Sequence, residues 1–188
     1  MRIISGSFRG KKILEPKDNK TRPLKDLTKE SIFNIIMHSN KFKISFTKSC
    51  VLDLFSGVGS FGIECLSRGV KKVIFIENYE GVIHLLKKNL LALKTIQNYE
   101  IIEKDIYSEN IFLKLNNKFD IIFLDPPYKD KSLEKLLNEI KDQKIINKNG
   151  IVIIHRHKNE TDLLPTGFQI IEQKVYGISK ITFLSYLY

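Results

Sequence analysis

The chain has 188 residues, 43% of them hydrophobic and 28% charged, and its formal net charge is +10. This length suits one α/β domain with a sizeable core, and the hydrophobic content excludes a disordered chain. No apolar run approaches the roughly 20 residues needed to cross a membrane, and the first residues show no secretory signal. We therefore expect a cytoplasmic protein without a membrane partner.

The positive charge is concentrated at the N-terminal end. Residues 1–48 hold 12 Lys or Arg against 4 Asp or Glu, whereas the remaining residues are close to balance. A basic end on a near-neutral body is typical of a phosphate-binding surface and indicates a nucleic-acid partner; the alternative is a solvated basic face. The candidate phosphate-binding residues are Arg2, Arg9, Lys11, Lys12, Arg22, Lys25 and Lys29.

Cysteines and histidines indicate neither a disulfide framework nor a metal site. Cys50 and Cys65 adjoin core-like segments and are expected to be buried thiols in a reducing cytoplasm. The histidines lack the spacing of a zinc site. His155 and His157 would share one face of a strand, but two ligands are too few, so we expect no metal.

The hydrophobic pattern predicts alternating strands and helices after a short extension. A small β-hairpin is expected at residues 2–14, a loop at 21–23 and a helix at 27–38. Five strands then alternate with helices. The expected strands are 51–55, 72–77, 100–103, 120–124 and 150–155, and the expected helices are 60–68, 79–93, a weaker one ending near 115, and 132–144.

This alternation stops after residue 155. Residues 168–175 and 178–187 are two β runs around Tyr176-Gly177, with no helix between them. They should form an antiparallel hairpin at the edge of an otherwise parallel sheet. An ordinary dinucleotide-binding sheet is expected to continue with parallel strand–helix units, so this ending argues against that class of fold.

A glycine-rich motif lies at the first strand-to-helix turn. Gly57, Gly59 and Gly62 fit G-x-G-x-x-G, which lets a ligand approach the main chain closely. The motif alone is compatible with NAD, a flavin, S-adenosylmethionine or tight packing. The preceding Asp53 favours S-adenosylmethionine, because an acid suits its sulfonium and ammonium charges. Candidate cofactor-binding residues here are Asp53, Phe55, Gly57 and Gly59.

Two acids follow the next two strands. Glu77 ends the second strand, 20 residues after Gly57, where a carboxylate can accept both hydroxyls of a ribose. NAD and S-adenosylmethionine sites share this feature, and Asn78 adjoins it as a further cofactor-binding candidate. Asp105 follows the third strand and either accepts from an adenine amino group, with Ile106 beside it, or caps a helix. Both roles for Asp105 stay open.

The fourth strand ends in Asp125-Pro126-Pro127-Tyr128, the candidate catalytic residues. Two prolines cannot extend a central strand, because neither has an N–H to donate, and they set the direction in which the chain leaves the sheet. The Asp125 carboxylate, the Pro126 carbonyl and the Tyr128 ring should then surround one point. Two acceptors beside an aromatic ring suit a planar ligand with an NH2 group. The alternative is a proline turn capped by an aspartate.

This last motif resembles the signature of methyltransferases that modify exocyclic amines of nucleobases. Four segments in order resemble one family among them, the bacterial small-subunit (16S) ribosomal RNA guanine-N2 methyltransferases, or RsmD group. The segments are residues 2–12, 21–23 with 29–34, 53–59 and 125–128. The resemblance spans nearly the whole chain, and its N-terminal pair is the specific part. Two positions depart from the family pattern: Leu24 stands where Thr is frequent, and His155 where the family has an acid.

The resemblance implies a class I, Rossmann-like α/β fold: a mostly parallel seven-stranded sheet with helices on both faces and a C-terminal antiparallel hairpin. Residues 1–188 would form one domain, a basic β-hairpin extension (1–20) on a core (21–188). S-adenosylmethionine would be the methyl donor, S-adenosylhomocysteine the product, and no metal would take part. Arg22 and Pro23 would lie over the cofactor pocket, also shared by Asp125. The basic residues named above would bind ribosomal RNA, within a 30S subunit or an assembly intermediate, and we expect a monomer.

Three other functions fit parts of the sequence. An adenine-N6 DNA methyltransferase can use the same four residues, but it usually needs an extra target-recognition segment, for which 188 residues leave little room. A non-catalytic nucleic-acid-binding module on a Rossmann-like core would not require the intact glycine, acid and proline motifs. An NAD oxidoreductase leaves residues 125–128 unexplained.

Overall fold

The computed structural model describes residues 1–17, 24–108 and 111–187. Its strands are β1 Cys50–Leu54, β2 Lys72–Glu77, β3 Tyr99–Glu103, β4 Phe119–Leu124, β5 Ile146–His157, β6 Phe168–Tyr176 and β7 Ser179–Tyr186. They form one sheet in the order β3-β2-β1-β4-β5-β7-β6. Neighbours among β1 to β5 pair in parallel, and β7 pairs antiparallel with β5 and β6. The expected parallel sheet with a C-terminal antiparallel hairpin is confirmed.

Helices cover both faces of this sheet. In the described part of the chain they are α1 Asp26–His38, α2 Ser60–Ser67, α3 Glu80–Leu91 and α4 Leu133–Asp142. Successive strand residues point to opposite faces, so Val51 and Ile153 pack with α1, α2 and α3, whereas Leu52 and Val152 pack with α4. Because both faces are buried, the central strands are continuous apolar runs. None of these helices is long and apolar enough to span a membrane.

The prediction of a weaker helix between the third and fourth strands is wrong for the described residues. The Asp105 carboxylate accepts the Tyr107 N–H at 2.9 Å, and the Asp105 carbonyl accepts the Ser108 N–H at 3.0 Å. Such local bonds compete with a helix, and only a short 3-10 helix, Phe112–Lys114, follows. The fifth strand is also longer than predicted, since β5 begins at Ile146 rather than at residue 150.

The two cysteines differ in environment. Cys65 is buried inside α2, as predicted, whereas Cys50 at the start of β1 is only half-buried. Burial raises the pKa of both thiols, which disfavours the reactive thiolate at neutral pH.

The N-terminal extension is a turn-rich loop closed by a single antiparallel bridge between Arg2 and Lys12. The predicted β-hairpin is reduced to this bridge because residues 5–10 form turns. The loop lies against the C-terminal end of α2. Gly6, with φ +85°, is so close to that helix that an added Cβ would lie 1.9 Å from the Ser67 carbonyl oxygen. Its lack of a side chain lets the Ser7 N–H donate to the same carbonyl at 2.8 Å.

A buried charge cluster fixes the extension to the helices beneath it. The Glu64 side chain on α2 is fully buried and accepts the N–H groups of Ile4 and Ser5 at 2.7 and 2.9 Å. It also accepts a hydrogen bond from Nε of Arg68 at 2.8 Å, and Nζ of Lys29 lies 3.8 Å from the carboxylate. Since an unpaired buried charge is costly, these contacts hold residues 1–13, α1 and α2 together.

Lys29 belongs to this cluster and not to the protein surface. Its side chain is fully buried, and Nζ donates to the Arg2 carbonyl at 2.7 Å and to Ser60 Oγ at 3.3 Å. Burial lowers the pKa of Lys29, and the nearby Glu64 carboxylate opposes this decrease. The prediction that Lys29 contacts RNA is therefore wrong, because its ammonium faces the interior.

Replacing Glu64 by alanine should lower the free energy of unfolding by roughly 3–5 kcal/mol, because a buried Lys29 charge and two backbone N–H groups lose their acceptor. Urea denaturation followed by circular dichroism measures this loss. Glu134→Ala, which removes an exposed glutamate from α4, should stay within about 0.5 kcal/mol of the wild type. A loss at Glu64 no larger than in this control would contradict the anchoring role.

Candidate active site

A cleft of about 430 Å³ opens at the carboxyl ends of the parallel strands. It lies where the chain order reverses between β1 and β4, the position at which open α/β sheets bind ligands. The predicted site residues in its wall are Asp53, Phe55, Gly57, Glu77, Asn78, Asp125, Pro126, Pro127 and Tyr128. The structure thus brings the glycine-rich loop and the proline loop, which are far apart in sequence, to one cleft.

The turn after β1 depends on left-handed backbone at three positions: Phe55 (φ +56°), Gly57 (φ +56°) and Gly59 (φ +85°). Two are glycines, which adopt this conformation without steric cost, and Phe55 carries local strain. The Ser56 hydroxyl donates to the Ile76 carbonyl at 2.9 Å and so ties the turn to β2. The main chain of this loop is therefore held in place at the cleft wall.

Asp53 is buried beneath the glycine-rich loop, with 1% of its surface exposed. Its carboxylate accepts the Gly62 N–H at 2.9 Å. Gly62 permits this approach, because an added Cβ would lie 2.9 Å from the Asp53 carboxylate oxygen and 2.3 Å from the Phe75 ring. Burial raises the pKa of Asp53 well above its ordinary value, the Gly62 N–H opposes the increase, and the Asp125 and Glu77 charges add to it. A cationic ligand would relieve this repulsion.

Glu77 joins the glycine-rich loop to the start of the next helix. One carboxylate oxygen accepts the Gly57 N–H at 2.7 Å. The other accepts the N–H groups of Asn78 and Tyr79, each at 2.9 Å. These bonds orient the carboxylate at the cleft wall, where the sequence predicts that it meets a ribose.

Three predicted cofactor-binding residues are not among those that line the cleft. Gly59 begins α2 as its N-cap. Asp105 is exposed and caps a turn, and the described residues directly after it, 106–108, are not helical, so the helix-cap alternative is wrong. Ile106 is buried in the core on the α4 face. Arg22 and Pro23 lie outside the described residues.

The proline loop leaves the sheet directly after β4. The Asp125 N–H still donates to the Leu54 carbonyl, at 3.3 Å, and the ladder then stops at Pro126. The Asp130 N–H returns to the Pro127 carbonyl at 2.8 Å and closes a turn. Pro126 is buried, whereas 21% of the Asp125 side chain is exposed, at the cleft wall.

Arg156 holds this loop and was not predicted. It is 2% exposed, and its guanidinium donates to the carbonyls of Pro127 at 3.0 Å and Asp130 at 2.7 Å. Asp162 pairs with the same guanidinium at 3.0 Å. A charged residue at the end of an apolar strand could have indicated a buried role for Arg156. Its partners could not be predicted, because they depend on strand register and on a loop distant in sequence.

His155 is the other site residue that sequence reasoning left without a role. Nδ1 lies 2.8 Å from Asp125 Oδ1, and Nε2 lies 2.9 Å from Ser179 Oγ. Burial acts to lower the pKa of His155, but the charge and hydrogen bond of Asp125 outweigh it, so the net pKa is raised. His157 instead packs edge-on against the Tyr128 ring, with 5.2 Å between ring centroids.

Among the described residues of the predicted basic surface, all but the buried Lys29 are exposed. The exposed members are Arg2, Arg9, Lys11, Lys12 and Lys25. Arg2 lies 3.6 Å from Asp26, and Lys11 Nζ lies over the Phe8 ring and donates to the Ala92 carbonyl at 2.7 Å. These side chains present positive charge to solvent on the face that carries α1 and α2.

The chain is similar to known proteins along nearly its full length. The sequence model of a family described as conserved hypothetical protein 95 matches residues 1–185. Ribosomal RNA small subunit methyltransferase D of Haemophilus influenzae is 33% identical over 182 residues, covering 95% of this chain and 90% of that protein. A solved Escherichia coli structure, provisionally described as a methyltransferase, has 25% identity and a TM-score of 0.81, covering 98% of this chain and 96% of that one. A further fold relative, 16% identical with a TM-score of 0.61, was solved as a complex with SAH and is matched over 84% of this chain and 49% of its own.

Arg156→Met should loosen the proline loop, because it removes the donors to two loop carbonyls and leaves Asp162 without its guanidinium. Amide hydrogen exchange at residues 128–132 should accelerate by about tenfold or more, while the amides of β1 keep their protection. Lys131→Met removes an exposed charge from the same loop and should change neither. Equal exchange rates in both variants would contradict the role of Arg156 in holding the proline loop.

Proposed function

The chain belongs to the conserved hypothetical protein 95 family, and from this premise we propose that it transfers a methyl group from S-adenosylmethionine to the exocyclic N2 amine of a guanine in small-subunit ribosomal RNA. The observation that carries the proposal is the single cleft shared by the glycine-rich loop and residues 125–128. Methyl transfer to an amine requires a donor site and an amine site in contact. The Haemophilus influenzae relative, by its name a small-subunit ribosomal RNA methyltransferase, supports the substrate class.

The charge of the cleft favours S-adenosylmethionine. Asp53, Glu77 and Asp125 place three carboxyl groups along its wall, and the charges of Glu77 and Asp125 both repel the Asp53 carboxylate. The sulfonium and ammonium of this donor offset that repulsion, whereas a pyrophosphate would add to it. The donor supplies an activated methyl group, and no metal is needed. Glu77 would accept the ribose hydroxyls, with Arg22 and Pro23 covering the pocket.

Asp125 and Pro126 would prepare the amine for attack. One Asp125 oxygen is held by His155, which leaves the other to accept an N–H of the target amine beside the Pro126 carbonyl. Both hydrogen bonds favour a pyramidal nitrogen with a localised lone pair. They strengthen as positive charge develops, so they stabilise the transition state more than the ground state. Asp125 then takes the released proton.

Tyr128 would stack on the guanine and fix its approach to the methyl group. Its ring is braced by the edge-on contact with His157. Positioning of this kind is worth several kcal/mol, about 7 or more in ideal systems. The guanine must already be unpaired or must leave its stack to reach the cleft.

The exposed basic residues of the extension would bind the phosphates of the RNA. Arg9, Lys11 and Lys12 are carried by one loop, which the Glu64 cluster fixes to the helix that starts at the glycine-rich turn. The proposed RNA-binding surface would thus be joined to the proposed donor site through one helix, α2. We propose a monomer that acts on a 30S subunit or an assembly intermediate.

A methylation assay tests the function and the role of Asp125 together. Wild-type protein with labelled S-adenosylmethionine should produce N2-methylguanosine in RNA or 30S particles. Asp125→Ala should lower kcat by about 100-fold and leave cofactor affinity, measured by calorimetry, largely intact, because the carboxylate acts chiefly as charge develops. Asp142→Ala removes an exposed acid from α4 and should keep wild-type turnover.

The products of this assay separate the alternatives. N6-methyladenine in a DNA substrate would replace the proposal by an adenine methyltransferase. Binding of NAD without S-adenosylmethionine would refute the donor. Near-normal turnover of Asp125→Ala would show that another group meets the amine.

The basic extension should bind RNA with a steep dependence on salt, because phosphate contacts release counterions. Replacing Arg9, Lys11 and Lys12 together by Gln should weaken binding and reduce the slope of log K against log salt by about 2. A filter-binding titration at several salt concentrations measures this slope, and S-adenosylmethionine affinity should not change.

The matched control is the triple replacement of Lys135, Lys141 and Lys144 by Gln, which removes equal charge from the α4 side of the sheet. Its salt slope should stay closer to that of the wild type. Equal slopes in the two triple variants would show that the N-terminal charge is only a solvated face.

A further inference from the structure

We propose that His155 positions the Asp125 carboxylate for the target amine, and that methyl transfer requires the neutral form of its imidazole. The inference rests on the proposed function, because it assigns a role within the same cleft. It makes His155 a positioning residue, which acts through Asp125 and need not touch the substrate.

Strand register places the imidazole between two partners. Ile154 pairs with Leu124 on β4, so the next residues, His155 and Asp125, lie side by side at the carboxyl end of the sheet. On the other side of β5, the antiparallel β7 brings Ser179 to Nε2 at 2.9 Å. Both ring nitrogens therefore have a partner inside the protein.

These partners select one neutral tautomer. Asp125 is an acceptor when ionised, so Nδ1 must carry the proton that it donates at 2.8 Å. Nε2 then accepts from the hydroxyl of Ser179, which is 6% exposed. The neutral ring is fully satisfied in this arrangement, and it is only 5% exposed to competing water.

This hydrogen bond fixes the orientation of the Asp125 carboxylate in addition to stabilising its charge. With Oδ1 held by His155, rotation about the Cβ–Cγ bond of Asp125 is restricted. Oδ2 is then the oxygen that remains for the amine. A misplacement of about 1 Å in a reacting group can cost roughly 100-fold in rate. Loss of the His155 N–H donor should therefore lower kcat strongly and change the affinity for the cofactor little.

The charged state of the ring should oppose the reaction. Two titratable groups after β4 lie next to the ring: the Asp125 carboxylate at 2.8 Å and the Tyr128 phenol, whose ring centroid is 6.4 Å away. The buried Asp53 carboxyl lies on the same face of the sheet, two strands away, and β7 contributes the neutral Ser179. An imidazolium would neutralise Asp125 and repel the positive charge that develops on the amine.

The direction of the pH dependence follows from this repulsion. Burial lowers the pKa of His155 and Asp125 raises it by more, so the imidazolium persists to a higher pH than that of a free histidine. The neutral ring is the active form. Turnover should therefore be high above the pKa of His155 and fall as the pH decreases through it.

Two substitutions separate positioning from charge. His155→Asn keeps an N–H donor near the place of Nδ1 but cannot titrate, so kcat should stay within about tenfold and the pH step should disappear. His155→Leu removes the donor, and kcat should fall by about 100-fold with unchanged cofactor affinity. His84→Asn, at an exposed site on α3, should retain the wild-type pH profile.

A titration without turnover tests the contact itself. The imidazole resonances of His155 in the whole protein, followed by NMR, should titrate at a lower pH in Asp125→Asn than in the wild type. This readout does not depend on whether the substrate is RNA. A failed methylation assay together with a shifted His155 resonance would therefore reject the proposed function and support the His155–Asp125 contact. An unshifted resonance, a pH step that survives in His155→Asn, or wild-type kcat in a folded His155→Leu would overturn the proposal.

Discussion

Three carboxyl groups crowded at one edge of the sheet are the constraint on which the site depends. Asp53, Glu77 and Asp125 all end in the same cleft, where burial and the charges of the other two carboxylates raise the pKa of Asp53. Each is tolerated because an N–H group reaches it: the first two accept backbone N–H groups of the glycine-rich loop and its helix, and the third accepts from His155. Glycine suits both donor positions for different reasons: Gly57 has a positive φ, and at Gly62 an added Cβ would lie 2.9 Å from the Asp53 carboxylate. The remaining negative potential would favour a cationic ligand, such as the proposed methyl donor, in the cleft.

The helix α2 connects this cleft to the N-terminal extension. Its first residue, Ser60, follows the glycine-rich loop and accepts from Lys29, whereas its last, Ser67, donates to the Ser5 carbonyl at 2.6 Å. Glu64, between them, carries the buried charge that both ends depend on. Because a buried ion cluster is strongly destabilised by the loss of one member, the extension cannot move far from the helix without a large energetic cost. A basic loop in a fixed position, rather than a flexible arm, is consistent with placing one nucleotide at one cleft.

The sequence was sufficient for the parts of the molecule set by local pattern. Continuous apolar runs predicted the buried strands, and the Gly57 and Asp125 motifs predicted the walls of the cleft, because parallel strands bring their carboxyl ends together. It was insufficient where a residue's environment comes from a distant partner. Lys29 reads as one of many surface lysines until Glu64, on another helix, is placed beside it. The turn at Asp105 was missed because side-chain hydrogen bonds to the backbone outweighed a weak apolar period.

The end of β5 shows why register matters more than composition here. His155 and Arg156 are consecutive, so they face opposite sides of the strand. The first reaches the Asp125 carboxylate and the second the carbonyls of the loop that Asp125 begins. One strand end thus fixes both the acceptor and the backbone that presents it, through groups that are almost fully buried. A shift of one residue in the β4–β5 pairing would exchange the two side chains and put a permanent cation against Asp125. The observed register instead gives Asp125 a partner that can be neutral, as the proposed reaction requires of a carboxylate that accepts from an amine as it becomes positively charged.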